Sequence, residues 1–86
     1  MTSTIDNHLG KRIAEARQQA GMIARAVAEE LELPLSTYQA MERGERRISA
    51  LVMAKVSRIY GLPVGWFYQG LPGQSSFDRS VKGSSI

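Results

Sequence analysis

The stretch V-A-E-E-L-E-L-P-L-S-T-Y-Q-A-M-E-R-G-E-R-R, residues Val27–Arg47, decides the fold of this chain. Ala28 and Leu31 lie before a short interruption, and Tyr38 and Met41 lie after it. All four are apolar at spacings that let one helix pack across the other. The stretch therefore predicts two short helices joined by a tight turn and followed by a small basic loop.

These two helices are predicted over about 24–31 and about 34–43. Glu32 falls in the turn, where positive φ suits glycine best, and a left-handed Glu costs roughly 1 kcal/mol. Pro34 fits the first turn of the second helix, where its missing N–H group does no harm. The polar side chains of that helix then face outward, which is the layout of a helix-turn-helix whose second helix can enter a DNA major groove. They are Ser36, Thr37, Gln39 and Arg43.

Composition favours one small domain and permits an anionic partner. The 86 residues allow a single core, and the absence of cysteine excludes disulfides and thiolate metal sites. The net charge is +3, most of the basic excess follows Gln39, and acidic residues concentrate within 29–32. This segregation suggests a nucleic-acid surface on one side of the protein, with an ordinary solvated face as the alternative.

No motif of catalysis or membrane insertion is present in the sequence. The one histidine, His8, has no acid cluster at metal-ligand spacing beside it, and no Walker loop or G-x-G-x-x-G occurs. The N-terminus lacks the apolar core of a signal peptide, and the longest apolar run, around 50–54, is too short to span a bilayer. We therefore expect a cytoplasmic protein with no enzyme activity, metal, cofactor or small-molecule substrate.

Three further helices are predicted around the central pair. Ser3 or Thr4 can cap a first helix that ends at Gly21, with an apolar stripe on one face. Ser49 caps a fourth helix that Gly61 ends, and a short fifth helix carries most of the aromatic side chains. The stripe of the first helix is Ile5, Leu9, Ile13, Ala16 and Ala20; the inward arc of the fourth is Ala50, Met53, Ala54, Val56, Ser57 and Tyr60.

A change of composition marks the end of the helical domain. Residues 71–86 are rich in glycine and serine, with scattered apolar residues, which predicts a flexible C-terminal tail after a helix-turn-helix domain over 1–70.

Several segments, taken together, carry a family resemblance. They are L-G-K-R-I-A-E-A-R-Q-Q-A-G at 9–21, the paired helices, E-R-G-E-R-R-I-S at 42–49 and G-L-P-V-G-W-F-Y-Q-G-L at 61–71. In this order they resemble the lambda-repressor-like, Cro-repressor-type (XRE) helix-turn-helix family of bacterial and phage regulators. The resemblance implies an all-α, compact bundle of five helices. It also implies a transcriptional regulator that binds double-stranded DNA as a homodimer, associated with the nucleoid of a bacterium or encoded by a phage.

The resemblance also assigns roles to individual residues. Arg17 and Glu42 match a pair that would pin the first helix to the end of the recognition helix. The positions expected at DNA phosphates are Arg25, Thr37, Arg43, Arg46 and Arg47, and those expected at base edges are Leu35, Ser36, Gln39 and Ala40.

The sequence departs from the family where DNA is recognised. Ile23 and Ala24 stand where Ser or Thr followed by Gln is frequent. Among the base-reading positions only Gln39 has the bidentate amide suited to adenine, so binding energy shifts toward the basic loop.

A protein-interaction module on the same fold, such as an antitoxin or a co-regulator, is therefore the alternative. It is motivated by the missing polar base-reading side chains and by the extra apolar surface of Leu51, Val52 and Ile59. The candidate dimer surface consists of Leu51, Val52, Ile59, Trp66 and Phe67.

Overall fold

The computed structural model describes residues 4–71, and every regular element there is an α-helix. The order is α1 (Thr4–Ala20), α2 (Ala24–Leu31), α3 (Leu35–Glu42), α4 (Ala50–Tyr60) and α5 (Val64–Tyr68). This confirms the predicted all-α bundle of five helices. The suggested cap Ser3 and, apart from Leu71, the predicted tail lie outside the described residues.

Helix α1 is the longest element and packs on α3, α4 and α5. It ends where Gly21 takes a φ of +71°, a left-handed conformation that glycine adopts without strain. Leu9, Ile13 and Ala16 of the predicted stripe are buried. The two ends of that stripe were predicted wrongly, because Ile5 and Ala20 are exposed and the residues that α1 buries lie only between Asp6 and Ala16.

The turn between α2 and α3 contains a left-handed residue other than glycine. Glu32 has φ 59° and ψ 41°, and the Leu33 N–H group donates to the Ala28 carbonyl at 2.9 Å. Pro34 lies just before α3 rather than inside it, so α3 begins at Leu35, one residue later than predicted.

The core lies where these helices cross. Buried apolar side chains from all five helices form it: Leu9, Ile13, Ala16, Val27, Ala28, Leu31, Tyr38, Met53, Val56 and Phe67. All four apolar residues that predicted the crossing of α2 and α3 are buried, including Met41.

The inward arc of α4 was predicted roughly a quarter turn away from its true centre. Met53 and Val56 are buried, but Ala50 and Ala54 are exposed. At 100° per residue, Val52 and Ile59 lie about 40° and 60° from Val56 on one side, where both are half-buried against the core, and the buried Met53 lies about 60° from Val56 on the other side. The core face is therefore centred on Val56, with the two alanines opposite it.

The fifth helix closes one end of the bundle. Phe67 is fully buried, and its ring meets Trp66 edge to face, with ring centroids 4.9 Å apart. Placing Phe67 on a candidate dimer surface was therefore wrong, because its side chain belongs to the core. Within residues 4–71 no helix is both long and apolar enough to cross a membrane.

Candidate nucleic-acid interface

One face of α3 is exposed while the other is fixed in the core. Tyr38 and Met41 are buried, and Ser36 and Gln39 are exposed. The remaining side chains predicted to meet DNA from this helix, those of Leu35, Thr37 and Ala40, are half-buried, and Leu35 packs against the core. The exposed polar groups that α3 offers to a base edge are thus a hydroxyl and an amide.

The C-terminal end of α3 is held by a charged cluster. Glu42 accepts hydrogen bonds from Arg17 Nε at 2.7 Å and from Arg17 Nη2 at 3.2 Å. The Tyr38 hydroxyl donates to the same carboxylate. The Arg17 and Glu42 side chains are only 20% and 13% exposed, so this bidentate pair joins α1 to α3 largely out of water.

This cluster shifts the pKa values of its members. The hydrogen bond to Glu42 raises the pKa of Arg17, which also donates from Nη1 to the Met22 carbonyl between α1 and α2. Burial raises the pKa of the Tyr38 phenol, and the hydrogen bond to Glu42 raises it further. Burial likewise raises the pKa of Tyr60, whose hydroxyl is enclosed beside Tyr38 without a hydrogen bond of standard geometry to any described residue.

The basic loop after α3 is fixed at both ends. At its start Gly44 has a φ of +77°, its N–H group donates to the Met41 carbonyl, and the Glu45 N–H group donates to the Ala40 carbonyl at 2.9 Å. These bonds cap the helix in the manner of a Schellman motif. At its end the Ile48 N–H group donates to Asp6 Oδ1 at 3.0 Å. The loop therefore presents its side chains from an ordered backbone.

The arginines of this loop are exposed. Arg43 donates from Nε to Glu45 Oε1 at 3.1 Å, with more than half of each side chain in solvent. Arg46 and Arg47 are exposed, and among the described residues they form no ion pair within 4.0 Å. Arg25 is exposed in the first turn of α2, a helix whose N-terminus has no side-chain cap because Ile23 precedes it.

Two residues that position this surface are not apparent from the sequence. Asp6 stands in the first turn of α1, where an acid favours the helix dipole, yet it is buried and binds the loop 42 residues away. Gly10 lies where α1 crosses the end of α3, and a Cβ there would overlap the Met41 carbonyl oxygen and meet that of Glu42 at 3.0 Å. The Asp6 carboxylate and the absence of a side chain at Gly10 thus set how closely α1 approaches α3 and its loop.

A second group of contacts from α1 holds α5. The Arg12 guanidinium lies 3.6 Å from the centroid of the Trp66 ring and donates to the Trp66 carbonyl from Nη2 at 2.7 Å. His8 Nε2 is 2.7 Å from the Gln69 carbonyl oxygen. The sequence predicted neither contact, because only knowledge of the α1–α5 crossing could have placed these two side chains.

Helix α3 has one exposed face, is fixed in the core by its other face and is followed by an ordered basic loop. This arrangement defines a helix-turn-helix domain. The helix-turn-helix family model matches residues 13–67, and this chain belongs to that family, in its XRE type. Uncharacterized HTH-type transcriptional regulators of Sinorhizobium medicae and Rhizobium meliloti are each 33% identical to it over 69 residues, which are 80% of this chain and 50% of each relative. The chain thus spans about half the length of the curated relatives it matches.

Solved structures share the fold. The clp gene regulator ClgR from Corynebacterium glutamicum superimposes with a TM-score of 0.73 at 23% identity, over 80% of this chain and 90% of that one. The DNA-binding domain of BldD gives a TM-score of 0.66 at 26% identity, over 78% of this chain and 97% of that domain.

Proposed function

We propose that this protein is a DNA-binding transcriptional regulator that inserts α3 into the major groove and binds the DNA phosphates with the loop Arg43–Arg47. The observation that carries the proposal is the position of the arginines of that loop, immediately after the exposed face of α3 and on a backbone fixed at both ends. Relatives named as transcriptional regulators and the similarity to a DNA-binding domain support it.

In this proposal, different residues supply the affinity for DNA and the preference for particular base pairs. Arg43, Arg46, Arg47 and Arg25 are exposed cations suited to phosphate, and their contacts release counterions whatever the sequence of the duplex. Gln39 can pair with adenine and Ser36 with either kind of base edge, while Ala40 and the exposed part of Leu35 can meet thymine methyl groups. Thr37, half-buried, is suited to a phosphate at the edge of the groove.

Selection of bound fragments from a random duplex pool at two salt concentrations tests the proposal directly. We expect enriched sequences and binding that weakens with salt. Arg43→Ala should weaken binding to every duplex and lower the slope of log K against log salt by about 0.9. Gln39→Ala should instead relax preference at one base pair, by about 1–3 kcal/mol.

Arg58→Ala is the matched control for Arg43→Ala. Arg58 is an exposed arginine of α4 that lines a groove with Glu30 and Glu32, away from the basic loop. Its substitution should leave the salt slope unchanged. Equal losses of DNA affinity from Arg43→Ala and Arg58→Ala would overturn the role of the loop. If no sequence is enriched and no salt-dependent binding is found, the result favours the protein-interaction module.

The regulator is proposed to act as a homodimer in the cytoplasm, paired through α4 and α5. Leu51 supports this surface because it is 66% exposed, and the other proposed members Val52, Ile59 and Trp66 are half-buried. Leu51→Asp should convert the dimer into a monomer in sedimentation equilibrium and weaken binding to a two-fold symmetric site. Ile23→Asp, at a side chain 65% exposed just before α2, is the control for the oligomeric state; a dimer that survives Leu51→Asp excludes this surface.

A further inference from the structure

The loop that carries the proposed phosphate contacts also carries one acid. Glu45 lies between Arg43 and the pair Arg46 and Arg47, so it offsets one of three positive charges. Its backbone is fixed by the N–H bond to the Ala40 carbonyl, and its side chain reaches back to Arg43. The acid is therefore held against a cation that is proposed to bind DNA.

The geometry of this pair determines what Glu45 does to Arg43. Glu45 Oε1 accepts from Arg43 Nε at 3.1 Å, on the side of the guanidinium nearest its own backbone. Both side chains are more than half exposed, at 56% and 61%, and exposed pairs of this kind are weak. A phosphate can therefore displace the carboxylate, but it must first break this contact and then approach a neighbouring negative charge.

We propose that Glu45 lowers the affinity of the loop for every duplex by pairing with Arg43 in the free protein and repelling phosphate in the complex. This inference rests on the proposed DNA binding and adds an internal limit to it. Because the carboxylate opposes a phosphate contact and not a base contact, it reduces affinity without altering sequence preference. Specific and non-specific complexes are weakened by the same factor.

Glu45→Gln is the decisive variant, because the amide oxygen can still accept from Arg43 Nε while the charge is gone. At about 0.1 M salt we expect binding to the selected site and to an unrelated duplex to tighten by the same factor, about 1.5- to 5-fold. Glu15→Gln is the matched control, since Glu15 is an exposed acid paired with Arg12 at 2.9 Å on α1. It should leave DNA affinity unchanged.

A double-mutant cycle separates the pair from a simple change of net charge. In the Arg43→Ala background, Glu45→Gln should tighten binding by a clearly smaller factor. The same factor in both backgrounds would overturn the pairing, as would unchanged or weaker binding by Glu45→Gln alone. Salt-dependent binding by the unsubstituted protein together with such a result would refute this inference alone, whereas no binding by the unsubstituted protein would refute the proposed function as well.

Discussion

Breaking the Arg17–Glu42 pair should remove a large part of the stability of this domain. The carboxylate accepts three hydrogen bonds, two from Arg17 and one from the Tyr38 hydroxyl. Removing one partner of a fully buried pair costs about 3–5 kcal/mol, and an exposed pair contributes about 0–1 kcal/mol. At 20% and 13% exposure the two side chains lie near the buried limit, so we expect Glu42→Leu to cost about 2–4 kcal/mol.

The expected cost of Glu42→Leu is a large part of the total free energy of unfolding. A chain of 86 residues at 0.05–0.15 kcal/mol per residue has a free energy of unfolding of about 4–13 kcal/mol. Arg17→Met should cost about 2–3 kcal/mol, because the stranded Glu42 keeps its bond from Tyr38. The double variant removes both charges and leaves mainly the Tyr38 hydroxyl and the Met22 carbonyl without partners, so its cost should be about 1–2 kcal/mol.

Urea unfolding followed by far-ultraviolet circular dichroism at neutral pH measures the free energy of unfolding of the unsubstituted protein, the two single variants and the double variant. The signature of the pair is a double variant more stable than the sum of the single losses predicts, by at least about 1.5 kcal/mol. Single losses below about 1 kcal/mol, or losses that add to within about 0.5 kcal/mol, would show that the pair does not fix α3 to α1.

Three neighbouring features are tested by smaller changes. Burial raises the pKa of Tyr38 and Tyr60, so above about pH 10 the folded state keeps protons that the unfolded state releases. The free energy of unfolding should therefore fall by about 1.4 kcal/mol per pH unit for each tyrosine. Tyr60→Phe should flatten that alkaline slope in urea titrations, and an unchanged slope would contradict this. Glu32→Gly should stabilise by about 0.5–1 kcal/mol, because glycine adopts φ 59° without strain, and no upward shift of the urea midpoint would refute it. Gly10→Ala should lower the free energy of unfolding by about 2–3 kcal/mol, while Gly65→Ala, whose added methyl meets nothing within 4 Å, should not show this loss.

Local chemistry explains why the helices could be predicted. Glycine at 21 and 61 adopts the left-handed conformation that ends a helix, and the Ser49 hydroxyl accepts from the Val52 N–H group three residues on. These signals act within one turn of the chain, so they are visible in the sequence. The Arg17–Glu42 contact spans 25 residues, and it came instead from the family resemblance.

The remaining errors come from not knowing how the helices cross. The arc of α4 was extended wrongly to Ala50 and Ala54 because several faces of that helix carry apolar residues, and only the position of its neighbours centres the core face on Val56. Phe67 was assigned to the surface for the same reason. The bond from Ile48 to Asp6 joins a backbone N–H group, which has no sequence pattern of its own, to an acid that fits equally well as a solvated first-turn residue.

The contacts of the first turns of α1 bear on how this domain can be cut and fused. The matched family region begins at residue 13, but the groups that fasten the basic loop and α5 begin earlier, at Asp6, His8, Gly10 and Arg12. A fragment trimmed to the family boundaries would keep every proposed DNA-contacting side chain and lose the bond that ends their loop at Ile48. Such a fragment should present the same arginines from an untethered segment, so the working domain boundary lies upstream of the recognisable motif.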